Sequence, residues 1–252
     1  MKALSVLFVM LILFCACVPQ RTEPAPPHWT YEGEEGPSRW GELDPSYAAC
    51  GTGKSQSPID VANATEQDLL NISFHYQPSA VNILNNGHTV QANYDPGSYI
   101  ELDNTRYDVV QFHYHAPSEH TVDGESFPAE LHIVHRNAEG NLAVVGILLR
   151  QGSENAAYQP FIDNLPAETT DVKEAGVTIN AGDLLPSLGT TFRYSGSLTT
   201  PPCTEGVSWL LMTTPVELSA QQLAALDSLF EGGNNRPVQP INDRTLVEDN
   251  TP

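Results

Sequence analysis

Between His88 and Arg150 the chain passes through five short segments, HTVQANY, SYIELD, YDVVQFHYH, AELHIVHR and NLAVVGILLR, separated by Gly, Pro, Asn and Asp turn signals. Runs of this length, rich in β-branched and aromatic residues, read as strands. Ala143 to Leu149 is apolar at every consecutive position, so neither of its faces can meet water, and it reads as a central strand covered on each side. A single helix is clear. Ser219 caps it, Gln222 completes a capping box, Leu223, Leu226 and Leu229 form its stripe, and Gly232–Gly233 is expected to end it. The expectation is a mainly β (α+β) domain with a few short helices.

From His28 to Arg244 there is neither a composition break nor an internal repeat, which argues for one domain over 28–244 in a chain of 252 residues. A linker over 18–27, VPQRTEPAPP, precedes it, and a tail over 245–252 without a packing pattern follows it. Residues 1–17 read as a signal peptide: Lys2 gives a short positive region, and the apolar run Leu4–Phe14 is too short to span a bilayer. LFCACVPQ resembles a bacterial lipoprotein processing site with Cys17 as the lipid anchor, although Phe14 stands where Leu is usual. Ordinary cleavage is the alternative. Either route makes the protein exported: periplasmic, lipid-anchored or secreted.

The 31 acidic against 11 basic residues give a formal charge of -20, a field that repels nucleic acid and anionic membranes. Cys50 and Cys203 are the only cysteines left in the domain and, in an oxidising compartment, read as a disulfide, with two unrelated buried thiols as the alternative.

The chemistry concentrates in QFHYHAPSEH and AELHIVH. On a strand His113 and His115 share a face with Cα atoms roughly 6.6 Å apart, and His132 offers a third imidazole from a second strand. Three neutral imidazoles suit Zn2+ and leave a fourth position open for water. Gln111 and Glu130 each precede a ligand by two and could hold its outer ring nitrogen. His120 and His135 read as structural hydrogen-bonding residues. The same stretch admits another reading: His113, His115 and Glu119 fit the metal site of a cupin, which would make the chain a metal-dependent oxygenase or a binding barrel. The downstream histidine and P-x-G pattern of that family are missing.

In order, HWTY, SQSPID, ILNNGHTV, QFHYHAPSEH, AELHIVH, AVVGILL, SLTTPPCTEGVSW and RPVQPIN resemble the alpha-class carbonic anhydrases over about His28 to Arg244. The resemblance implies a single domain around a large, twisted, mostly antiparallel sheet, with one zinc at the base of a cone-shaped cavity. It implies His113, His115 and His132 as ligands, Gln111 and Glu130 as their outer partners, and Glu119 as partner of the Thr199 hydroxyl. Thr200 would sit beside the substrate, with Val134, Val144, Leu198 and Trp209 as the apolar wall. His88 would be the proton shuttle, and Tyr31, Asn86 and Gln91 would line the water path, Gln91 standing where mammalian members carry Asn. Cys50 and Cys203 fit the disulfide of exported members and would pin the loop of Thr199.

The implied enzyme is a zinc lyase, a carbonate dehydratase. A hydroxide at the fourth position, generated by zinc's effect on water (for which carbonic anhydrase is the standing example), attacks carbon dioxide, bicarbonate leaves and His88 exports the proton. The implied partners are carbon dioxide and bicarbonate, with a homodimer as a candidate assembly. A catalytically dead relative serving as a binding domain is the other reading within the family, and the intact ligands, Thr199 and Glu119 argue against it.

Overall fold

A computed structural model describes residues 27–169, 173–187 and 189–251. The signal peptide, Cys17 and nearly all of the linker lie outside the described residues. The strands that build the site are β1 (Ser79–Asn85), β2 (Val90–Tyr94), β3 (Thr105–His115), β4 (Ala129–Arg136), β5 (Leu142–Gln151), β6 (Thr191–Ser197) and β7 (Glu205–Met212). They lie side by side in the order β1-β2-β3-β4-β5-β7-β6 within one large mixed sheet. Antiparallel pairing dominates, and β5 is the exception, running parallel to β7. This linear order does not close into a barrel, so the cupin architecture does not apply.

Alternation along each strand divides the apolar residues between the two faces. Phe112, Tyr114, Leu131, Ile133, Val145, Ile147 and Leu210 join the larger core on one face, which α1 (Ala220–Asp227) helps to cover. Val134, Val144, Leu148, Trp209 and Leu211 join Ile59 and Tyr194 in a second core on the other. The run expected to be covered on both sides behaves so: every residue from Ala143 to Leu149 is buried. A third cluster of Trp29, Trp40, Tyr47 and the two cysteines sits where the chain first enters the domain.

Two sequence expectations are corrected. The helix carries the expected capping box of Ser219 and Gln222 but ends at Asp227, well before the glycines. Ser228 turns its hydroxyl back onto the Ala225 carbonyl, a local bond that competes with continuing the helix. Leu229 therefore packs from a turn, only partly buried. The tail is also more than a tail. Val247–Asp249 forms a strand, β8, antiparallel to β6, and the buried Asp249 pairs with Arg193. A single buried ion pair marked by two distant residues has no periodicity for the sequence to display.

His120 and His135 have the structural roles expected of them. His135 donates from Nδ1 to the Ala143 carbonyl and accepts from the Tyr76 hydroxyl at 2.8 Å. Burial lowers its pKa from 6.5 to about 4, partly opposed by the backbone carbonyls. Between those values the unfolded chain binds a proton that the folded chain refuses, so this contribution to stability is complete above 6.5 and lost as the pH falls towards 4. The melting temperature of the metal-free protein should fall over that window, and His135→Gln should flatten the slope even if it lowers the neutral-pH value. A slope unchanged by the substitution would assign the acid sensitivity elsewhere.

Candidate metal centre and its cavity

The site is written across three strands. In the pairing of β2, β3 and β4, Gln91 faces His113 and His113 faces His132 directly, while Glu130 faces His115. The next row places Gln111 beside Val134, then Val144, then Trp209. Opposite His132 on β5 stands Gly146. A Cβ there would lie 2.7 Å from the Leu211 side chain and 3.2 Å from the Glu130 carboxylate, so only glycine lets that carboxylate settle behind His132.

His113, His115 and His132 bring their ligand nitrogens within 4.8 Å of one another. The outer nitrogens fix the tautomers. His113 donates from Nδ1 to Gln111 Oε1 at 2.8 Å. His115 donates from Nδ1 to the Asn234 carbonyl at 2.6 Å. His132 is reversed, giving its Nε2 proton to Glu130 at 2.9 Å. Each ring therefore keeps its lone pair on the inner nitrogen: Nε2 of His113, Nε2 of His115 and Nδ1 of His132. Burial and the neighbouring imidazoles hold the His113 pKa well below its usual value, and burial takes His115 down to about 4. All three are neutral at physiological pH, as ligation requires. His115 Nε2 is buried without any hydrogen-bond partner. A buried nitrogen lone pair left unsatisfied costs stability unless a cation fills it, and an all-imidazole donor set fits zinc.

Glu130 does more than hold His132. Its two oxygens also take the amides of Glu119 and His120 and the His120 ring. Burial works against its charge, yet the two imidazoles keep its pKa well below the ordinary carboxylate range. His120 accepts in turn from the Tyr194 hydroxyl, which accepts from Ser57.

Glu119 presents one oxygen to the Arg236 amide at 2.8 Å. Its other oxygen, Oε2, has no hydrogen-bond partner and stands 3.5 Å from His115 Nε2. Burial raises its pKa to about 7, against the pull of His132, the Thr199 hydroxyl and the Arg236 amide. Thr199 is buried beside it.

A cavity of about 120 Å³ over the imidazoles is lined by Asn86, His88, Gln91, Gln111, His113, His115 and Thr200, with Trp29 at its edge. Val134, Val144 and Trp209 are buried and Leu198 partly buried in one cluster, and the Trp209 ring lies 4.8 Å from that of His132. His88 stacks flat on Trp29, with ring centroids 3.6 Å apart, and also faces a second, outer cavity with Tyr31 and His28. Burial and the nearby His28 lower its pKa. Tyr31 belongs to the outer cavity, and its hydroxyl is buried without a partner. Cys50 and Cys203 are bonded.

The structure brings His113, His115 and His132 together with Gln111, Glu130 and Glu119 and places Asn86, His88, Gln91 and Thr200 around the inner cavity. Tyr31 lines the outer cavity, and Val134, Val144, Leu198 and Trp209 form an apolar cluster rather than part of the inner lining. Four residues passed over by residue-level reasoning join them: Asn234, Tyr194, Ser57 and Arg236. Ser57 and Arg236 lie in SQSPID and RPVQPIN, which carry a family signature but no chemical one.

The eukaryotic-type carbonic anhydrase profile matches residues 35–250. A carbonic anhydrase of Nostoc sp. is 44% identical, over 93% of this chain and 91% of that protein. Among solved structures, a hyperthermostable carbonic anhydrase from a hydrothermal vent chimney is 46% identical with a TM-score of 0.85, covering 88% of this chain and 100% of that one. An alpha-carbonic anhydrase from Thermovibrio ammonificans, solved with sulfanilamide, is 41% identical with a TM-score of 0.86 over the same shares.

Glu130→Gln removes the charge shared by His132 and His120. Metal affinity should fall by about 10- to 100-fold, read by competition with a chelator; an unchanged affinity would remove Glu130 from the support of the site.

Proposed function

The chain belongs to the eukaryotic-type carbonic anhydrase family, and from that premise we propose that it is a zinc enzyme hydrating carbon dioxide reversibly to bicarbonate and a proton. The observation that carries this reading is the set of three inward lone pairs, each fixed by a bonded outer nitrogen, with His115 Nε2 buried and unpartnered. His113, His115 and His132 would hold the ion. When bound, zinc supplies the Lewis acidity that makes water a nucleophile at neutral pH, an effect for which carbonic anhydrase is the standing example.

The chain's own residues do the rest. Thr199 stands beside the ionisable Glu119, and its hydroxyl donates a hydrogen bond to that carboxylate. Its oxygen is then left only as an acceptor, which selects and orients an attacking O–H group. Val134, Val144, Leu198 and Trp209 keep water from one side of the cavity and offer carbon dioxide a surface where an apolar molecule loses nothing by desolvation. Thr200, opposite, suits the developing bicarbonate. His88 takes the released proton on its imidazole, and its lowered pKa favours passing that proton onward to buffer. Asn86, Gln91 and Tyr31 supply the polar lining along which water can lead to it.

We place the mature protein outside the cytosol. Support comes from the Cys50–Cys203 bond and the exported character of residues 1–17; among the described residues no helix is long and apolar enough to cross a membrane. Lipid attachment at Cys17, with ordinary cleavage of the signal peptide as the alternative, and a homodimer belong to the same proposal.

His113→Ala should abolish zinc retention and carbon dioxide hydration together. Retained zinc with full turnover would overturn the assignment. His88→Ala should slow turnover mainly in weak buffer and recover in part with added imidazole, as followed by stopped flow; indifference to buffer would remove the shuttle.

A further inference from the structure

The Thr199 loop is tied to the rest of the domain twice. The covalent tie is the disulfide between Cys50 and Cys203. The second runs beside it through two buried side chains, Gln56 and Arg236. Arg236 Nη2 donates to the Cys50 carbonyl at 2.9 Å, and Nη1 donates to Gln56 Oε1 at 2.9 Å and to the Ser57 carbonyl at 2.7 Å. Gln56 Nε2 then donates to the Cys203 carbonyl at 3.0 Å and to Glu205 at 3.1 Å. Carbonyl to carbonyl, the two bridged cysteines are joined by an unbroken set of hydrogen bonds.

Both ends of this link reach the reacting pair. Cys203 closes the loop by donating its amide to the Thr200 carbonyl, while Leu198 and Thr204 pair across the base. At the other end the Arg236 amide fixes the Glu119 carboxylate. Thr199 and Glu119 are far apart in sequence, and this link joins the segments that carry them.

Stability alone accounts poorly for the arrangement. Arg236 is 1% exposed, and its Nε has no partner. A buried, incompletely satisfied cation is seldom a net stabiliser compared with an apolar side chain of similar size. What a guanidinium offers that no apolar group can is several donors in one rigid plane. Gly53 makes room for the link: a Cβ there would fall 2.4 Å from Gln56 Nε2 and 2.5 Å from Glu205 Oε1.

We infer that Gln56 and Arg236 are positioning residues that hold Thr199 and Glu119 in register through a non-covalent link parallel to the disulfide, whose own contribution is mainly to stability. The inference rests on the hydration activity proposed above.

The test compares Gln56→Leu, Gln56→Glu and the double variant Cys50→Ser/Cys203→Ser with the native chain. Gln56→Glu still accepts from Arg236 but cannot donate to the Cys203 carbonyl, and it serves if the leucine variant does not fold. Amide hydrogen exchange of residues 198–204 is read on metal-free protein, alongside zinc content, kcat/KM for hydration and melting temperature. The Gln56 variants should exchange faster over 198–204 and lose about 10-fold or more in kcat/KM at native zinc content. Loss of the bridge should cost more in melting temperature and less in kcat/KM than either. The reverse ranking, or Gln56 variants with native exchange and native kcat/KM, would overturn the inference. If the native chain fails to hydrate carbon dioxide, the proposed activity falls, while the exchange measurement still decides whether the link holds the loop.

Discussion

The site depends first on a carboxylate buried with no exposure. Glu130 sits between two histidines and two backbone amides, and those partners settle what burial alone would leave costly. An ionised group in this position needs every lone pair engaged. It therefore dictates where its neighbours stand: His132 must offer Nε2 and turn Nδ1 inward, and the chain at Glu119–His120 must fold back so that both amides point at it. Gly146 has to lack a side chain for the same reason. One acid thus fixes a ligand's tautomer, the approach of Glu119 and the identity of a residue two strands from His113.

Much of this is visible in the sequence, and the visible part has a common physical origin. Strand periodicity puts i and i+2 on one face, so H-x-H, Q-x-H and E-x-H are readable as ligands with outer partners before any fold is known. The both-sided burial of β5 follows from its unbroken apolar run. What sequence cannot display is pairing through atoms that every residue owns. His115 is held by the carbonyl of Asn234, and Glu119 by the amide of Arg236. No side-chain pattern encodes a backbone partner more than a hundred residues away. The strand β8 was hidden likewise, since Asp249 acquires meaning only when β6 brings Arg193 against it.

The helix shows the same limit from another side. Its start is declared by side chains that bond within four residues, Ser219 with Gln222, and both bonds form. Its end is decided by a competition between the next backbone bond and a turn supported by tertiary contacts around Leu229 and Phe230. Local chemistry specifies the first and merely permits the second.

The two sides of the three imidazoles are unlike because of how the rows of the sheet run. Moving from β3 through β4 and β5 to β7, the row begun by Gln111 passes to Val134, Val144 and Trp209 and becomes wholly apolar. Moving the other way from His113, pairing leads to Gln91 on β2, which hydrogen-bonds Asn93, and onward to the turn of Asn86 and His88. One direction suits a small apolar molecule and the other suits water and a proton. The imidazoles stand where the two directions meet. In the reaction proposed above, substrate and proton would approach the same centre from opposite sides without competing for the same surface. The stacking of His88 on Trp29 completes the division: it sets the imidazole at the boundary of the inner and outer cavities, within reach of both.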